Sequence, residues 1–396
     1  MTNRFDRGTG AKKTLLYVIT IIISILFLFI GNRIVTRNLG IFDQDYGEEI
    51  AKARVVSVVD RDVEEYNVDG NTLLENIQIT FEAEILNGAY RGETVTASQT
   101  IDNIHYSNMS EAEQGDRLLL VYSEQDVQGW HFLEFIRTDM LLVLGILLVV
   151  SLLIFGRRKG FNTILSLVFT CAAIFTVFIP SILSGHNIYI CAILVCLYAI
   201  MMTFLIVNGL NKKTWAAAAG SFGGIAVSGL LIFIMDRVLS LTGIVDDDSL
   251  FLTYLPTEMP IDLNAIIFAA IIIGAMGAIM DVSMSISSSL WEVKEEARDA
   301  TRDSLFKSGI NIGRDIMGTM SNTLILAYIG SSLSVVLLLS VYSTSLLYLL
   351  NREMIVVEIL KALVGSFGIL VTMPLTSLIC AVSYTRVKPR VIRLKR

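Results

Sequence analysis

The residue most able to do chemistry in this chain is Asp281, the one ionisable side chain in an apolar, small-residue run from Leu263 to Trp291. A helix through that run is roughly 43 Å long and carries the carboxylate about 6 Å from its middle. A charge held in hydrocarbon costs several kcal/mol unless water, a partner or a proton relieves it, so such a group marks a functional site by default. Residues three and four apart share a helix face. Gly274, Gly277, Asp281, Ser285 and Ser288 therefore line one side of this helix, and Asp315, Thr319, Asn322 and Thr323 line one side of the next. Two polar stripes on successive helices, each headed by a carboxylate, can build one hydrated site. Asp281 and Asp315 would be its ion-coupling groups, and Ser285, Ser288, Thr319, Asn322 and Thr323 its lining. Two plainer roles stand beside this one. Hydroxyls and amides in membrane helices often only bond across helix contacts, and Asp315, next to Arg314, suits a helix N-cap or an ion pair at the inner interface.

The elements that must position these residues are membrane spans. Of 396 residues 54% are hydrophobic and 17% charged, and the mean hydropathy is +0.64, outside the range of soluble globular proteins. Uncharged runs long enough to cross a bilayer lie at 14–30, 139–156, 161–182, 187–208, 214–236, 264–289, 316–338 and 358–384. The expected fold is an all-α polytopic bundle of about eight transmembrane helices. An anchor at 14–31 comes first, seven helices fill 139–385, and a basic tail occupies 386–396. No small-residue cleavage site follows the first run, so it reads as an uncleaved anchor. Between the spans at 264 and 316 the stretch 290–308 reads as an amphipathic helix along the inner surface, with Leu290, Val293, Ala297 and Leu305 on its apolar side. Gly330, Ser331 and Ser332 can break the 316 span, and Pro374 should kink the last one, with Thr372, Thr376 and Ser377 answering its freed carbonyls.

Lysine and arginine concentrate on the cytoplasmic side of spans. Arg157, Arg158, Lys159, Lys212, Lys213 and the tail then fall inside, and Asp246, Asp247 and Asp248 outside, with Arg33 and Arg37 against the trend. Both termini are expected in the cytoplasm. Residues 48–136 form the one extracytoplasmic module, lying between the first two spans. Alternation in AKARVVSVVD, ENIQITFEAEIL, ETVTAS, DRLLLVYS and WHFLEFIR gives five strands, with turns at Asp69-Gly70, Asn87-Gly88 and Gly115-Asp116, so a small all-β barrel of the OB or SH3-like type is expected. Its acidic turns and the lack of a basic-aromatic stripe argue against nucleic acid.

Several chemistries are excluded. Cys171, Cys191, Cys196 and Cys380 all sit in apolar stretches without disulfide or metal spacing. His105, His131 and His186 are far apart, and no HExxH, GxSxG or P-loop pattern occurs. No enzyme activity, cofactor or metal is expected. Intramembrane aspartyl proteolysis lacks its GxGD and YD contexts.

The segments GAIMDVSMSISSSLWEV, GRDIMGTMSNTLILAYIGSSL and LVGSFGILVTMPLTSLI resemble the signature segments of the YibE/F-like membrane protein family. That resemblance implies a bacterial multi-pass protein of the cell membrane and no settled activity. The aspartate-ended span, the charged stretch with Glu295-Glu296 and the following Asp/Thr/Asn span are also similar to the SecD/SecF and MMPL half-transporters of the RND superfamily. This second likeness implies a proton relay at Asp281 and pairing, either as a homo-oligomer or with a shorter paralogue. Against that pattern, two additional spans precede Asp281 and the outer module reads as a barrel.

Two function classes follow. One is an ion-coupled, proton-driven transporter or export motor in which the charge state of Asp281 switches the packing of the 264 and 316 spans. The other is a non-transporting scaffold or assembly factor whose barrel binds a cell-envelope partner. The lipid bilayer is the expected partner in both.

Overall fold

The computed structural model describes residues 5–36, 49–67, 73–102, 110–123, 129–255, 260–297, 299–342 and 345–385. The expected Asp69-Gly70 turn, His105, Arg37 and the basic tail lie outside the described residues. The chain divides into two compact units, Met1–Leu39 with Leu152–Arg396, and Gly40–Ser151.

The helical unit begins with α1 (Phe5–Val35). After the barrel strands, β1 (Glu49–Asn67), β2 (Leu73–Ile85), β3 (Thr94–Asp102), β4 (Arg117–Tyr122) and β5 (Trp130–Phe135), come α2 (Thr138–Ala173), a π-turn over Ile174–Phe178 and α3 (Ile179–Leu183). The rest of the chain is α4 (Ile188–Asn208), α5 (Lys212–Leu239), α6 (Asp247–Leu252), α7 (Leu263–Glu296), α8 (Arg302–Ser331), α9 (Leu333–Tyr342), α10 (Leu346–Leu350) and α11 (Glu353–Thr385). Among the described residues six helices are long and apolar enough to cross a membrane, and a bent pair, α8 with the α9 stretch to Val341 at 57°, makes a seventh. Leu15, Ile22, Phe29, Phe155 and Leu230 stand exposed on the helices. A contiguous apolar exterior of this kind belongs in lipid.

Thr138–Leu183 counts as one of the six although it is 46 residues long, where the sequence suggested two spans. It is not straight. Arg157 has φ 47° and ψ −125°, and a Cβ added at Gly160 would run into the Leu152 carbonyl oxygen. Eight residues of continuous helix would separate those positions by about 12 Å. The backbone therefore doubles back at Arg157, and only a residue without a side chain fits at Gly160.

Helix starts follow from their caps. Asn211 accepts from Thr214 N (2.9 Å), Asp262 from Ala265 N (3.1 Å), and Asp246 with Ser249 forms a capping box. Thr301 caps α8 through Ser304 N at 3.2 Å. That cap corrects the expectation of one surface helix over 290–308. Residues 290–296 finish α7, the helix stops at Ala297, and α8 begins at Arg302. Leu290 and Leu305 are fully buried in the bundle core and do not face the membrane surface.

The core of the bundle is α5, α7 and α11, with α8 packed on α11 and α7, and α4 on α7. Glycine sets the spacing. Added Cβ atoms would meet the Thr376 hydroxyl at Gly220, the Thr372 hydroxyl at Gly224 and the Ser228 hydroxyl at Gly368. Backbones approach this closely in membranes through such small residues. α11 continues through Pro374 without interruption. Thr372 donates to Gly368 O (2.7 Å) and Ser377 to Met373 O (2.8 Å), so neither hydroxyl answers Leu370, whose carbonyl loses its amide partner at Pro374. α1 is tied to the π-turn by Asn32 Nδ2, which donates to Thr176 O at 2.7 Å.

The second unit holds a closed five-stranded barrel in the order β1-β2-β3-β5-β4, with all five expected strands present. β1 pairs antiparallel with both β2 and β4, and β3 and β5 close the barrel in parallel. Inward residues Ala53, Val55, Ile79, Phe81, Leu118 and Leu120 are buried, as period-two alternation requires. Gly88 and Gly115 take φ of 80° and 95°, as two of the expected turns demand. The fully buried Gln99 carboxamide pins the 110–112 segment, accepting from Ala112 N (2.8 Å) and donating to Ser110 O (3.0 Å). On the surface Arg61 grips Glu111 through two bonds of 2.8 Å. Those bonds hold the Glu111 carboxyl below its ordinary value.

Two outcomes are expected. Gly224→Val forces α5 away from Thr372 and should lower the thermal midpoint of the purified chain in detergent, at a cost of about 1–3 kcal/mol. Gly145→Ala, with open space at its Cβ inside α2, should not lower the midpoint. The depressed Glu111 pKa means that its stabilisation is present above the unfolded-state value and lost as pH falls through the folded one. Protection of the β1 amides, measured against their intrinsic exchange rates, should therefore fall below about pH 4.5, an effect small for so exposed a pair. Glu111→Gln should flatten that dependence.

Candidate polar seam on α7 and α8

α7 has two unlike faces. Ile279, Val282, Ser283, Ile286, Ser287 and Leu290 are buried against the bundle. Gly274, Gly277, Asp281 and Ser285 are exposed on the opposite side, with Ser288 half-buried. The 3.6-residue repeat thus sorts the helix as its sequence suggests, and the carboxylate-bearing face turns away from the chain's own core.

α8 is divided in the same way. Gly309 and Gly313 are buried, whereas Asp315, Thr319, Asn322 and Thr323 are exposed. Asp315 lies well inside α8, which starts at Arg302, so it is not an N-cap. Among the described residues no ion pair is formed by Asp315, Arg314 or Asp281.

Three contacts fix how the two helices align. A Cβ at Gly309 would lie 2.9 Å from Leu290 Cδ1, one at Gly313 would lie 3.3 Å from Ile286 Cδ1, and one at Gly274 would lie 2.5 Å from Tyr328 Oη. The helices therefore run antiparallel. One step down α7 for each step up α8 puts Ser285 level with Asp315, Asp281 level with Thr319, and Gly277 level with Thr323. The expected site residues are thus gathered at common depths along one pair of helices, on faces that the described residues leave uncovered.

Their hydrogen-bonding capacity is largely unused. Thr319 Oγ1 donates to Ile316 O (2.9 Å) and Thr323 Oγ1 to Thr319 O (2.8 Å), which leaves those oxygens free to accept. Asp281, Ser285, Ser288, Asp315 and Asn322 have no partner among the described residues. The seam offers carboxylate acceptors beside amide and hydroxyl donors, which is suited to binding a proton, a small cation or water.

Sequence reasoning chose one face of the serine-rich run, and a second set lies on the other. Ser283 Oγ is 2.6 Å from Ser221 Oγ. Ser287 Oγ donates to Lys213 O (2.7 Å) and lies 2.7 Å from Tyr384 Oη, while the Tyr384 ring packs edge-on against Trp291 at 5.0 Å. These bonds join α7 to α5 and α11 inside the bundle. The only hint in the sequence is the four-residue spacing of Ser283 and Ser287, and nothing there signals Tyr384. At the opposite end of the bundle, Glu353 accepts from Thr242 N and Gly243 N, both at 2.7 Å, and so ties the loop after α5 to the start of α11. Lys361 donates to Glu358 at 2.5 Å near the start of the last span.

Residues 144–386 match the YibE/F-like protein family. The chain belongs to that family. The matched region runs from α2 to the end of α11, so it contains both stripes, the buried hydroxyl set and the α5–α11 glycine contacts, and it excludes the barrel. No curated protein and no solved structure matches the chain.

The buried hydroxyls can be tested by a double-mutant cycle in detergent. Ser221→Ala and Ser283→Ala should each cost about 1 kcal/mol of unfolding free energy, and the double variant less than the two together, since removing both partners leaves no unpaired group. Tyr384→Phe should cost a similar amount, because Ser287 keeps its bond to Lys213 O.

Proposed function

We propose that the chain is a proton-coupled membrane transporter or export motor whose coupling group is Asp281. One observation carries this reading: a carboxylate near the middle of a 34-residue membrane helix has no partner among the described residues and stands at the level of a second polar stripe. Hydrocarbon disfavours the charged form of a carboxylate, so gain and loss of a proton there change what the face can contact. Each charge crossing the field adds about 2.3 kcal/mol per 100 mV. Ser285, Ser288, Thr319, Asn322 and Thr323 orient water or the cation, and Asp315, one turn from Thr319, is the second acceptor.

The topology is eight crossings in the bacterial cell membrane: α1, the two limbs on either side of Arg157, α4, α5, α7, the bent α8–α9 pair and α11. An even number puts both termini on one side, the cytoplasmic one by the placement of Lys and Arg. The barrel, after the first crossing, is then extracytoplasmic, where it receives or releases substrate or meets an envelope partner. Its strand order is of the OB kind.

An uncovered polar face in lipid also calls for a cover. The seam carries acceptors and donors together and glycines at Gly277 and Gly318 with open space in front of them, so a second copy can satisfy it by two-fold symmetry. Proton-linked helix switching at a paired interface is also what the RND half-transporter pattern read from the sequence segments would imply.

In proteoliposomes with an imposed pH gradient, Asp281→Asn should abolish proton flux while Asp281→Glu retains part of it. Wild-type flux, and wild-type function in cells, from the Asn variant would leave the scaffold as the better account. In a Cys171→Ala background Ser285→Cys should form intermolecular disulfides in native membranes, and Phe233→Cys on the exposed face of α5 should not. Cross-linking of Ser285→Cys only to a smaller protein would make the partner a paralogue.

A further inference from the structure

A cavity of about 350 Å³ opens where α1, the start of the limb that follows Arg157, and the α4–α5 connection meet. Its polar lining includes Tyr17, Thr20, Asn162, Asn208 and Asn211, and among the described residues no acidic one lines it. Tyr17 Oη donates to Asn162 Oδ1 (3.0 Å), Asn162 Nδ2 to Ile206 O (2.9 Å), and Asn211 Nδ2 to Asn208 O (2.8 Å). Each amide nitrogen carries two hydrogens, so Asn162 and Asn211 each keep one donor in hand. The Asn208 side chain has no partner among the described residues.

The setting is cationic. Lys159 precedes Asn162 by one helical turn, and Lys212 and Lys213 follow Asn211 directly. None of the three forms an ion pair among the described residues. The positive end of the α5 dipole points the same way. Such surroundings select an anion rich in hydrogen-bond acceptors, and a phosphate group fits that description.

Depth and the remaining walls decide which phosphate. Tyr17 lies one turn into the first apolar run, Asn208 ends α4 and Lys212 starts α5, so the cavity stands at the height of lipid headgroups. Leu16 and Leu210 line it and are exposed, and Leu205 and Val207 are half-buried beside them, a surface suited to an acyl chain and not to a soluble ion. We propose that this cavity binds an anionic phospholipid, with the phosphate held by Asn162, Asn208 and Asn211 near Lys159 and Lys212. The lysines repel the ammonium of a zwitterionic headgroup, so phosphatidylglycerol is favoured over phosphatidylcholine. Basic pockets between spans on the cytoplasmic side take anionic headgroups by the same physics. The site is independent of the seam and of what Asp281 does.

The test is native mass spectrometry of the full chain in a neutral detergent with equal amounts of phosphatidylglycerol and phosphatidylcholine, repeated with inorganic phosphate in large excess. Phosphatidylglycerol should be retained about tenfold more, and phosphate should not displace it. Each lysine removed should weaken retention roughly fivefold, so Lys159→Gln with Lys212→Gln should erase the preference. Asn208→Leu, which keeps every lysine, should weaken retention at an unchanged thermal midpoint. Equal retention of the two lipids, or an undiminished preference in both variants, overturns the site. Displacement by inorganic phosphate makes it a site for a soluble anion and overturns the lipid assignment.

Discussion

Hydrocarbon leaves no polar group to fend for itself, and most of this helical unit follows from that requirement. Backbone amides are answered by helix formation, and the helix ends are capped by Asn211, Asp246, Asp262 and Thr301. Many interior hydroxyls are answered by one another and by neighbouring carbonyls, Ser221 by Ser283, Ser287 by Tyr384 and Lys213, Thr372 by Gly368, whereas those of Ser228, Ser321, Tyr328 and Thr376 are buried without a partner among the described residues. Asp281 likewise has no partner among the described residues. An ionisable group left so in hydrocarbon costs more than a hydroxyl does, and that is where function is to be sought.

The two faces of α7 have opposite mechanical characters. Toward α5 and α11 the helix is locked, because Ile279 packs onto Gly224 and Gly368, Ser283 and Ser287 bond to Ser221, Lys213 and Tyr384, and Ile286 and Leu290 are fully buried. Interiors packed this closely are not continuously deformable. Toward the seam there is open space in front of Gly277 and Gly318. Any rearrangement governed by Asp281 is therefore easier between α7–α8 and whatever covers them than inside the three-helix core.

What could be read from the sequence and what could not divide along physical lines. Alternation with Gly88 and Gly115 fixed the barrel strands because the side-chain period and positive-φ turns are local properties. The grouping of Asp281 with Ser285, and of Asp315 with Asn322, is likewise local, being a matter of helical pitch. Whether such a face points into the bundle or out of it is decided by neighbours, which periodicity does not name. The same gap explains Tyr384, whose bond to Ser287 joins residues 97 apart in the chain. Amphipathic patterning misled at 290–308: Leu290, Val293, Ala297 and Leu305 read as the apolar side of one surface helix, yet Leu290 and Leu305 anchor two different helices in the core. The Arg157-Arg158-Lys159 cluster was legible as a break between spans, but not as a reversal made at one residue with a glycine three positions on.

The bend between α8 and α9 bears on how a charge at the seam can have a wider effect. α8 meets the core through Gly309 and Gly313 at one end and through Tyr328 at Gly274 near the other, and beyond Ser331 the chain turns by 57°. Ser332 Oγ donates back to Tyr328 O at 2.6 Å, so the turn is braced on the residue that touches α7. A displacement of α8 along α7 moves Tyr328 against Gly274 and carries the bend with it. On the proposed mechanism the proton need not act at a distance, because the stripe it neutralises and the element that would move belong to one helix.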